Sequence, residues 1–432
     1  MQLRLICSFL DNILYYSLLI IIKKKCIMII KKHNSKTIGI LTGGGDVPGL
    51  NPAIRAITIR AIREGFRVIG IRNGWKGVIS INPLHPLEEQ SYCLELNDHM
   101  VNRLGRTGGT FLHSSRTKAN KVPLNDVPDH LKAIYKDEYN DLTGEAVANL
   151  KHIGIDFLIP IGGDDTLSYA VRLHHEGIKT IGIPKTMDGD VPGTEYCIGF
   201  STCITRTIEL THALRTCAGS HERFLVLEVF GRNAGFSALL PTVGGAADRC
   251  IIPEYQVNIE QLTALMVEDR NNNPSKYSVV LVSEGASYEG GNIIYSSQEK
   301  DAFGHKKLGG IGEDVGNQLR RLSPKFNNGK AINVVNQKLG YLVRSGEPDA
   351  LDSIVPTAYA NLAMDLILNG NSGQMVCIND GKYNHISIEA VKKDEHGQST
   401  KKVNVSKFYD INRYRPIYSN ILGDPMMILT RE

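Results

Sequence analysis

Two short stretches concentrate carboxylates. Gly162-Gly-Asp-Asp-Thr166 sets Asp164 and Asp165 side by side after a glycine pair, and Pro184-Lys-Thr-Met-Asp-Gly-Asp190 adds Lys185, Thr186, Asp188 and Asp190. Each follows an apolar run that reads as a buried strand, and in open α/β sheets ligands sit beyond the carboxyl ends of strands. A single Asp at a helix start is ordinarily an N-cap, but a cap uses only one carboxylate. Four carboxylates meeting at one sheet edge repel one another unless a divalent cation or cationic side chains offset them. Hard oxygen ligands beside phosphate loops imply Mg²⁺. A carboxylate left free of metal is then available as a general base toward a hydroxyl, which completes the minimal set for phosphoryl transfer.

Two glycine-rich loops are candidates for the phosphates, against the alternatives of a turn needed only for strand-to-helix geometry and a solvated surface loop. Thr37-Ile-Gly-Ile-Leu-Thr-Gly-Gly-Gly-Asp-Val-Pro-Gly-Leu-Asn51 reads as strand, glycine turn and helix start, with Gly44 at the turn's centre. Glycines let backbone N–H groups approach an anion, and a helix N-terminus adds its positive end. The stretch fits neither the Walker pattern nor the dinucleotide fingerprint. A second loop, Leu104-Gly-Arg-Thr-Gly-Gly-Thr-Phe-Leu-His-Ser-Ser-Arg116, pairs glycines with Arg106 and Arg116, which suits a phosphate better than an apolar ligand. Arg206, Arg223, Arg232 and Arg344 fall near predicted strand ends and loops; any one of them alone is more often a surface residue.

Positioning these groups falls to alternating strands and helices. Apolar runs predict strands at Thr37–Leu41, Arg67–Ile71, Phe157–Ile161, Thr180–Ile183, Leu225–Val229, Ser278–Val282 and Ile332–Val335. Helical periods predict Pro52–Glu64, Thr166–Glu176, Thr202–Thr216, Ile259–Asp269, Ile311–Arg321 and Ile354–Leu368. This is a doubly wound α/β pattern, repeated twice. The polar segment 115–142 reads as an insertion or lid, and 284–309 as a loop with a hairpin. Gly-Asp-Val-Pro-Gly occurs at 45–49 and again at 189–193, which implies two similar turns or chance rather than duplication.

Bulk properties set limits. The 432 residues are 42% hydrophobic and 22% charged, as in ordinary globular proteins, and are long enough for two domains. The net charge of +4 is accounted for by Arg4, Lys23, Lys24, Lys25, Lys31, Lys32 and Lys36, set against Asp11. No basic-aromatic stripe of a nucleic-acid-binding face appears. The eight cysteines are scattered without a C-x-x-C pair, as in a reduced, cytoplasmic protein. Ile13 to Ile22 is an apolar run too short for a spanning helix, so no stable membrane insertion is expected. Residues 1–33 read as a leader or a non-native extension, with Met28 a natural start.

Taken in order, these motifs resemble the phosphofructokinase family. The matching pieces are Leu41–Asn51, Gly162–Thr166, Pro184–Asp190, Glu228-Val-Phe-Gly-Arg-Asn-Ala-Gly235, Val282-Ser-Glu-Gly285 and Leu339-Gly-Tyr-Leu-Val-Arg-Ser-Gly346. The resemblance implies two Rossmann-like three-layer α/β/α domains with the active site in the cleft between them. Residues 34–199 plus 340–432 would bind the phosphoryl donor and 200–339 the sugar phosphate. It implies transfer of a phosphoryl group to the 1-hydroxyl of fructose 6-phosphate. Asp188 would be the base, Asp164 the Mg²⁺ carboxylate, and Thr186, Asp190 and Arg232 further catalytic residues. Gly44 and Arg116 would hold the donor. Arg223, Phe230, Gly231, Arg232, Glu284, Tyr341 and Arg344, with Thr186, would hold the sugar phosphate, Arg223 reaching in from a neighbouring copy of a homodimer or homotetramer.

The donor turns on two positions. ATP-using members typically carry Gly where Asp165 stands, and ATP-dependent bacterial members also have Gly in place of Lys185. Asp165 with Lys185 resembles the pyrophosphate-dependent branch, whose enzymes run reversibly. A carboxylate there obstructs and repels a nucleotide α-phosphate, while the ammonium suits a small anion. An ATP-dependent phosphofructokinase and a non-catalytic sugar-phosphate-binding regulator are the competing readings; loss of Asp188 or Asp164 would have favoured the last, and both are present. The chain departs from the family at Tyr341, where His is common, at Arg344-Ser-Gly346 and at Asp188-Gly-Asp190. Val335 stands where several bacterial members place a second intersubunit arginine, with Lys338 a substitute.

Overall fold

The computed structural model describes residues 36–291, 295–300, 306–308, 310–391 and 400–418. The segment 1–33, and part of the 284–309 loop, lie outside the described residues. Two separate sheets organise the chain. The first contains β1 (Thr37–Thr42), β2 (Arg67–Ile71), β3 (Cys93–Glu95), β4 (Phe157–Gly162), β5 (Ile181–Pro184), β10 (Gln374–Asn379) and β11 (Lys382–Ser387), in the order β11-β10-β5-β4-β1-β2-β3. Its centre is parallel, while β3 and β11 run antiparallel at the two edges. The second sheet is wholly parallel, with β6 (Phe224–Val229), β7 (Arg249–Ile251), β8 (Ser278–Ser283) and β9 (Val334–Lys338) in the order β9-β6-β8-β7.

Helices bury both faces of the first sheet, which is why β1 and β4 are buried at every residue rather than alternating. On one face α1 (Leu50–Arg63) packs on α9 (Ala350–Leu368), bringing Ile54 and Ile57 into one core with Tyr359 and Ala363. On the other, α2 (Gly74–Ser80), α3 (Thr143–His152) and α4 (Asp164–His175) build a core around Trp75, Leu150 and Leu173. Trp75 meets Tyr169 edge-on at 4.9 Å. Around the second sheet, α5 (Phe200–Gly219) packs on α6 (Phe236–Val243), and α7 (Ile259–Asn272) on α8 (Ile311–Leu322). The architecture is thus α/β with three layers about the larger sheet.

Several expectations shift. β9 spans Val334–Lys338 rather than 332–335, because its register with β6 runs from Val334 opposite Phe224 to Lys338 opposite Glu228. Segment 115–142 is no free lid: Ala119, Val122, Val127, Leu131 and Leu142 are buried with Trp75. A hairpin is present at Tyr295–Lys300 and Lys306–Leu308. The expected division assigned all of 340–432 to the first domain, yet Val403, Phe408, Tyr409 and Tyr414 lie in the second sheet's core. Tyr414 O accepts from Cys250 N at 2.8 Å, tying this segment to β7. The repeated Gly-Asp-Val-Pro-Gly forms a turn beyond β1 and another beyond β5, and both copies end on a left-handed glycine, Gly49 (φ 105°) and Gly193 (φ 79°).

Candidate active site

The glycine turn after β1 and the second glycine loop form one structure. Gly43 N donates to Ile161 O at 3.0 Å, which ties the turn to β4. Gly44 N donates to Ser115 O at 3.0 Å, and Ser114 Oγ donates to Gly44 O at 2.6 Å. Asn51 closes the other end: its Nδ2 donates to Thr107 Oγ1 at 2.9 Å and its Oδ1 accepts from Phe111 N at 2.7 Å. Close packing explains the glycines. A Cβ added at Gly43 would lie 2.5 Å from the Thr166 side chain, and one at Gly162 only 2.4 Å from it.

Lys185 sits beneath this turn, 4% exposed, with Nζ donating to Gly45 O at 2.7 Å. Burial lowers its pKa to about 8, helped by the positive charges of Arg344 and Arg116 and opposed by Asp46 and Asp164. Five charged groups from distant stretches of chain therefore converge here. Arg344 forms an ion pair with Asp46, the acidic residue of the glycine turn, and its guanidinium lies over the Tyr341 ring at 4.8 Å. Asp165 faces Lys118, with Nζ 3.4 Å from its Oδ1. Arg116 is exposed at the rim.

The carboxylates meet at the end of β5. Asp190 is pushed up to about 6 by burial and by the negative charge of Asp164; Thr186 Oγ1, donating to Asp190 Oδ1 at 3.3 Å, and Lys401 pull it back. Thr186 Oγ1 also accepts from Asp188 N at 3.1 Å, so one hydroxyl orders the whole turn. Asp188 is raised well above the carboxylate range by burial and by Asp190 and Glu284, against the Arg232 charge and backbone N–H. Its Oδ1 is buried without a hydrogen-bond partner among the described residues. A carboxylate with one oxygen unpaired and its basicity raised has the properties of a candidate general base.

Glu284 and Arg232 reach Asp188 from the second sheet. Glu284 N donates to Val229 O at 3.0 Å and Gly285 N to Gly231 O at 3.1 Å, which locks the ends of β8 and β6 together. Gly231 holds φ 116°, and a Cβ at Gly285 would lie 1.9 Å from Arg232 O. Phe230 is half-buried beside them. Burial raises Glu284 above its ordinary pKa, with Lys338 and Arg232 offsetting. Lys338 pairs with the buried Glu228 at 2.7 Å, and Glu228 in turn accepts from Gly310 N and Gly312 N at the start of α8. Tyr341 is 75% exposed. Arg223 lies at the opposite, amino end of β6, a strand length of roughly 20 Å from Phe230. It cannot contribute to the cleft of its own chain.

The fit to a cation is limited and informative. Among the described residues, no three His, Cys, Asp or Glu side chains converge tightly enough to hold an ion by themselves. Asp164, close enough to raise Asp190, suits a Mg²⁺ that keeps most of its ligands from water and phosphate oxygens. Sequence reasoning missed Asp46, Lys118, Glu228 and Lys401. Asp46 stood inside a motif already singled out, whereas Lys401 had no local signal at all.

A phosphofructokinase family model matches residues 37–367. The chain belongs to the phosphofructokinase family. A pyrophosphate--fructose 6-phosphate 1-phosphotransferase of Amycolatopsis mediterranei is 36% identical over 86% of this chain and 98% of its own. An ATP-dependent 6-phosphofructokinase 2 of Clostridium perfringens is also 36% identical, over 82% of this chain and 92% of its own. Phosphofructokinases named for either donor are thus equally similar. The fold agrees: a pyrophosphate-dependent phosphofructokinase structure from Marinobacter aquaeolei superposes with a TM-score of 0.66 at 20% identity, covering 92% of each chain. Among the described residues no helix of this phosphofructokinase is long and apolar enough to cross a membrane.

Proposed function

We propose that this phosphofructokinase transfers a phosphoryl group reversibly between pyrophosphate and the 1-hydroxyl of fructose 6-phosphate. The observation that carries the donor is the buried Lys185 ammonium under the glycine turn, together with a carboxylate, Asp165, at the start of α4, where it faces Lys118. A small anionic group meets the ammonium and Arg116 beside the turn, whereas a nucleotide must pass its α-phosphate and ribose by the Asp165 carboxylate.

In this reading the glycine turn, Lys185 and Arg116 hold pyrophosphate in line with the sugar. Arg232, Glu284, Phe230, Gly231, Tyr341 and Arg344 orient fructose 6-phosphate, with Arg223 supplied by a neighbouring copy. Asp164 holds Mg²⁺, which when bound neutralises the donor oxygens. Asp188 Oδ1 accepts the proton of the 1-hydroxyl as the new P–O bond forms and the bridging P–O bond of pyrophosphate breaks, releasing phosphate, and its raised pKa makes it the stronger base. Thr186 and Asp190 keep the turn in shape. We place the enzyme in the cytoplasm.

Initial rates with Mg-pyrophosphate and with Mg-ATP, at saturating fructose 6-phosphate, test the donor. Turnover with pyrophosphate at least about a hundredfold above that with ATP is expected, the scale on which a site rejects a group it leaves unpaired. Robust ATP turnover without pyrophosphate turnover would refute the assignment. Asp165→Gly should then raise ATP use, while Lys185→Ala should weaken pyrophosphate far more than sugar binding.

A further inference from the structure

The segment 401–418 does more than complete the second core. Lys401 N donates to Asp190 O at 2.9 Å, and its ammonium donates to Thr194 O at 2.8 Å, so both ends of this one residue grip the turn that carries Asp188 and Asp190. The same ammonium lies 5.5 Å over the ring of Phe236, the first residue of α6 in the second body. Two residues on, Val403 N donates to Glu254 Oε1 at 2.8 Å, and that oxygen also accepts from Gly235 N at 3.0 Å, immediately before α6. Farther along, Tyr409 Oη donates to Cys250 O at 2.7 Å and the Tyr414 backbone pairs with β7. Lys401 is therefore wedged where the catalytic turn of one sheet meets the sugar-side loops of the other.

We infer that Lys401 is a positioning residue for phosphoryl transfer: it fixes the turn bearing Asp188 and Asp190 against the Gly235–Phe236 edge of the sugar side. The inference takes from the proposed function that Asp188 is the base and that the second sheet's loops hold the sugar phosphate, and nothing about the donor. The physical need is clear. Asp188 belongs to the first sheet, while Arg232 and Glu284 belong to the second, so a base in register with the sugar hydroxyl requires the two bodies to be held in register too. A displacement of the order of an ångström at such a junction costs turnover while leaving each binding surface intact. The Thr186 hydroxyl orders the turn from within, but it makes no link across the cleft. Lys401 supplies such a link beside the one the Arg232 backbone N–H makes to Asp188, and the residue is only 9% exposed. Its charge also lowers the pKa of Asp190, against the effect of burial and of Asp164.

Lys401→Met, which keeps the length of the side chain and removes the ammonium, and Lys401→Arg, which keeps the charge, test this in the full-length protein. With whichever donor the parent enzyme uses, kcat of Lys401→Met should fall by about thirtyfold to a hundredfold. Its KM for fructose 6-phosphate, and the sugar affinity measured by calorimetry without donor, should stay within about twofold. Lys401→Arg should recover most of kcat. Retention of kcat in Lys401→Met would overturn the inference. So would loss of folding, or loss of sugar binding together with kcat and no rescue by Arg, since either outcome makes Lys401 structural only. Running the series with both donors separates the two readings: a parent active only with ATP refutes the proposed donor and leaves the Lys401 test fully informative.

Discussion

Aspartates at two places beside the first sheet are treated in opposite ways. Asp352, fully buried in the first turn of α9, accepts from Tyr196 Oη and Gly199 N on Oδ1 and from Thr202 N and Thr202 Oγ1 on Oδ2, at 2.6–2.8 Å. Its neighbour Asp349 accepts from Ser201 and Thr205 hydroxyls. Together they cap the start of α5 and pin α9 to it. Asp188, by contrast, keeps Oδ1 buried and unpaired among the described residues. Burial raises the pKa of both, to about 6 at Asp352 and well above the ordinary range at Asp188. A carboxylate with every lone pair answered by a fixed donor is a structural joint, whereas one with an oxygen left over suits the base of the proposed reaction.

The contrast is broken most severely at Asp188. Asp188→Asn should lower kcat by about 10²–10⁴, the range assigned to a general base, in steady-state assays with the preferred donor. Its thermal midpoint should equal or exceed that of the parent, because the amide relieves a buried charge and no donor faces the vacated oxygen. Intact turnover, or a marked loss of stability, would reverse the distinction.

Asp352→Asn should behave the other way. An amide presents only one acceptor, so its NH₂ must point at donors on one side, either Tyr196 Oη and Gly199 N or the two Thr202 groups. Urea unfolding should show a loss of about 2–4 kcal/mol, with kcat per folded molecule nearly unchanged. A smaller effect belongs to pH. Since Asp190 is raised to about 6 and Asp188 is raised as well, protons are taken up above the normal carboxylate range. The kcat/KM of the free enzyme should therefore fall as pH drops through about 6. An acid limb near 4 would mean that neither group is perturbed in the working enzyme.

Much of this was legible before any coordinates. The strands and turns that carry the glycine and acidic motifs are legible in the sequence because each is local: an apolar run, a breaker and a helix start occupy a dozen residues. What escaped had no local signature. β11 is exposed along most of its length, so Lys382–Ser387 shows no apolar alternation to find. β7 is three residues long and opens on Arg249, whose burial depends on a bidentate pair with Asp269, 2.7 Å away and on a different element. Segment 115–142 read as polar because its buried residues are spaced irregularly between short turns.

The residue types and their order along the chain determined the family, the two-sheet pattern and the carboxylate-rich strand ends, since each of these is written in contiguous spacing. Tertiary structure alone decided which aspartates are satisfied, that Arg344 meets Asp46 at the glycine turn, and that Lys401 grips the turn of Asp190 from the far end of the chain. Those contacts join residues some hundreds of positions apart. Their existence depends on how two sheets settle against each other, a geometry no stretch of sequence specifies by itself.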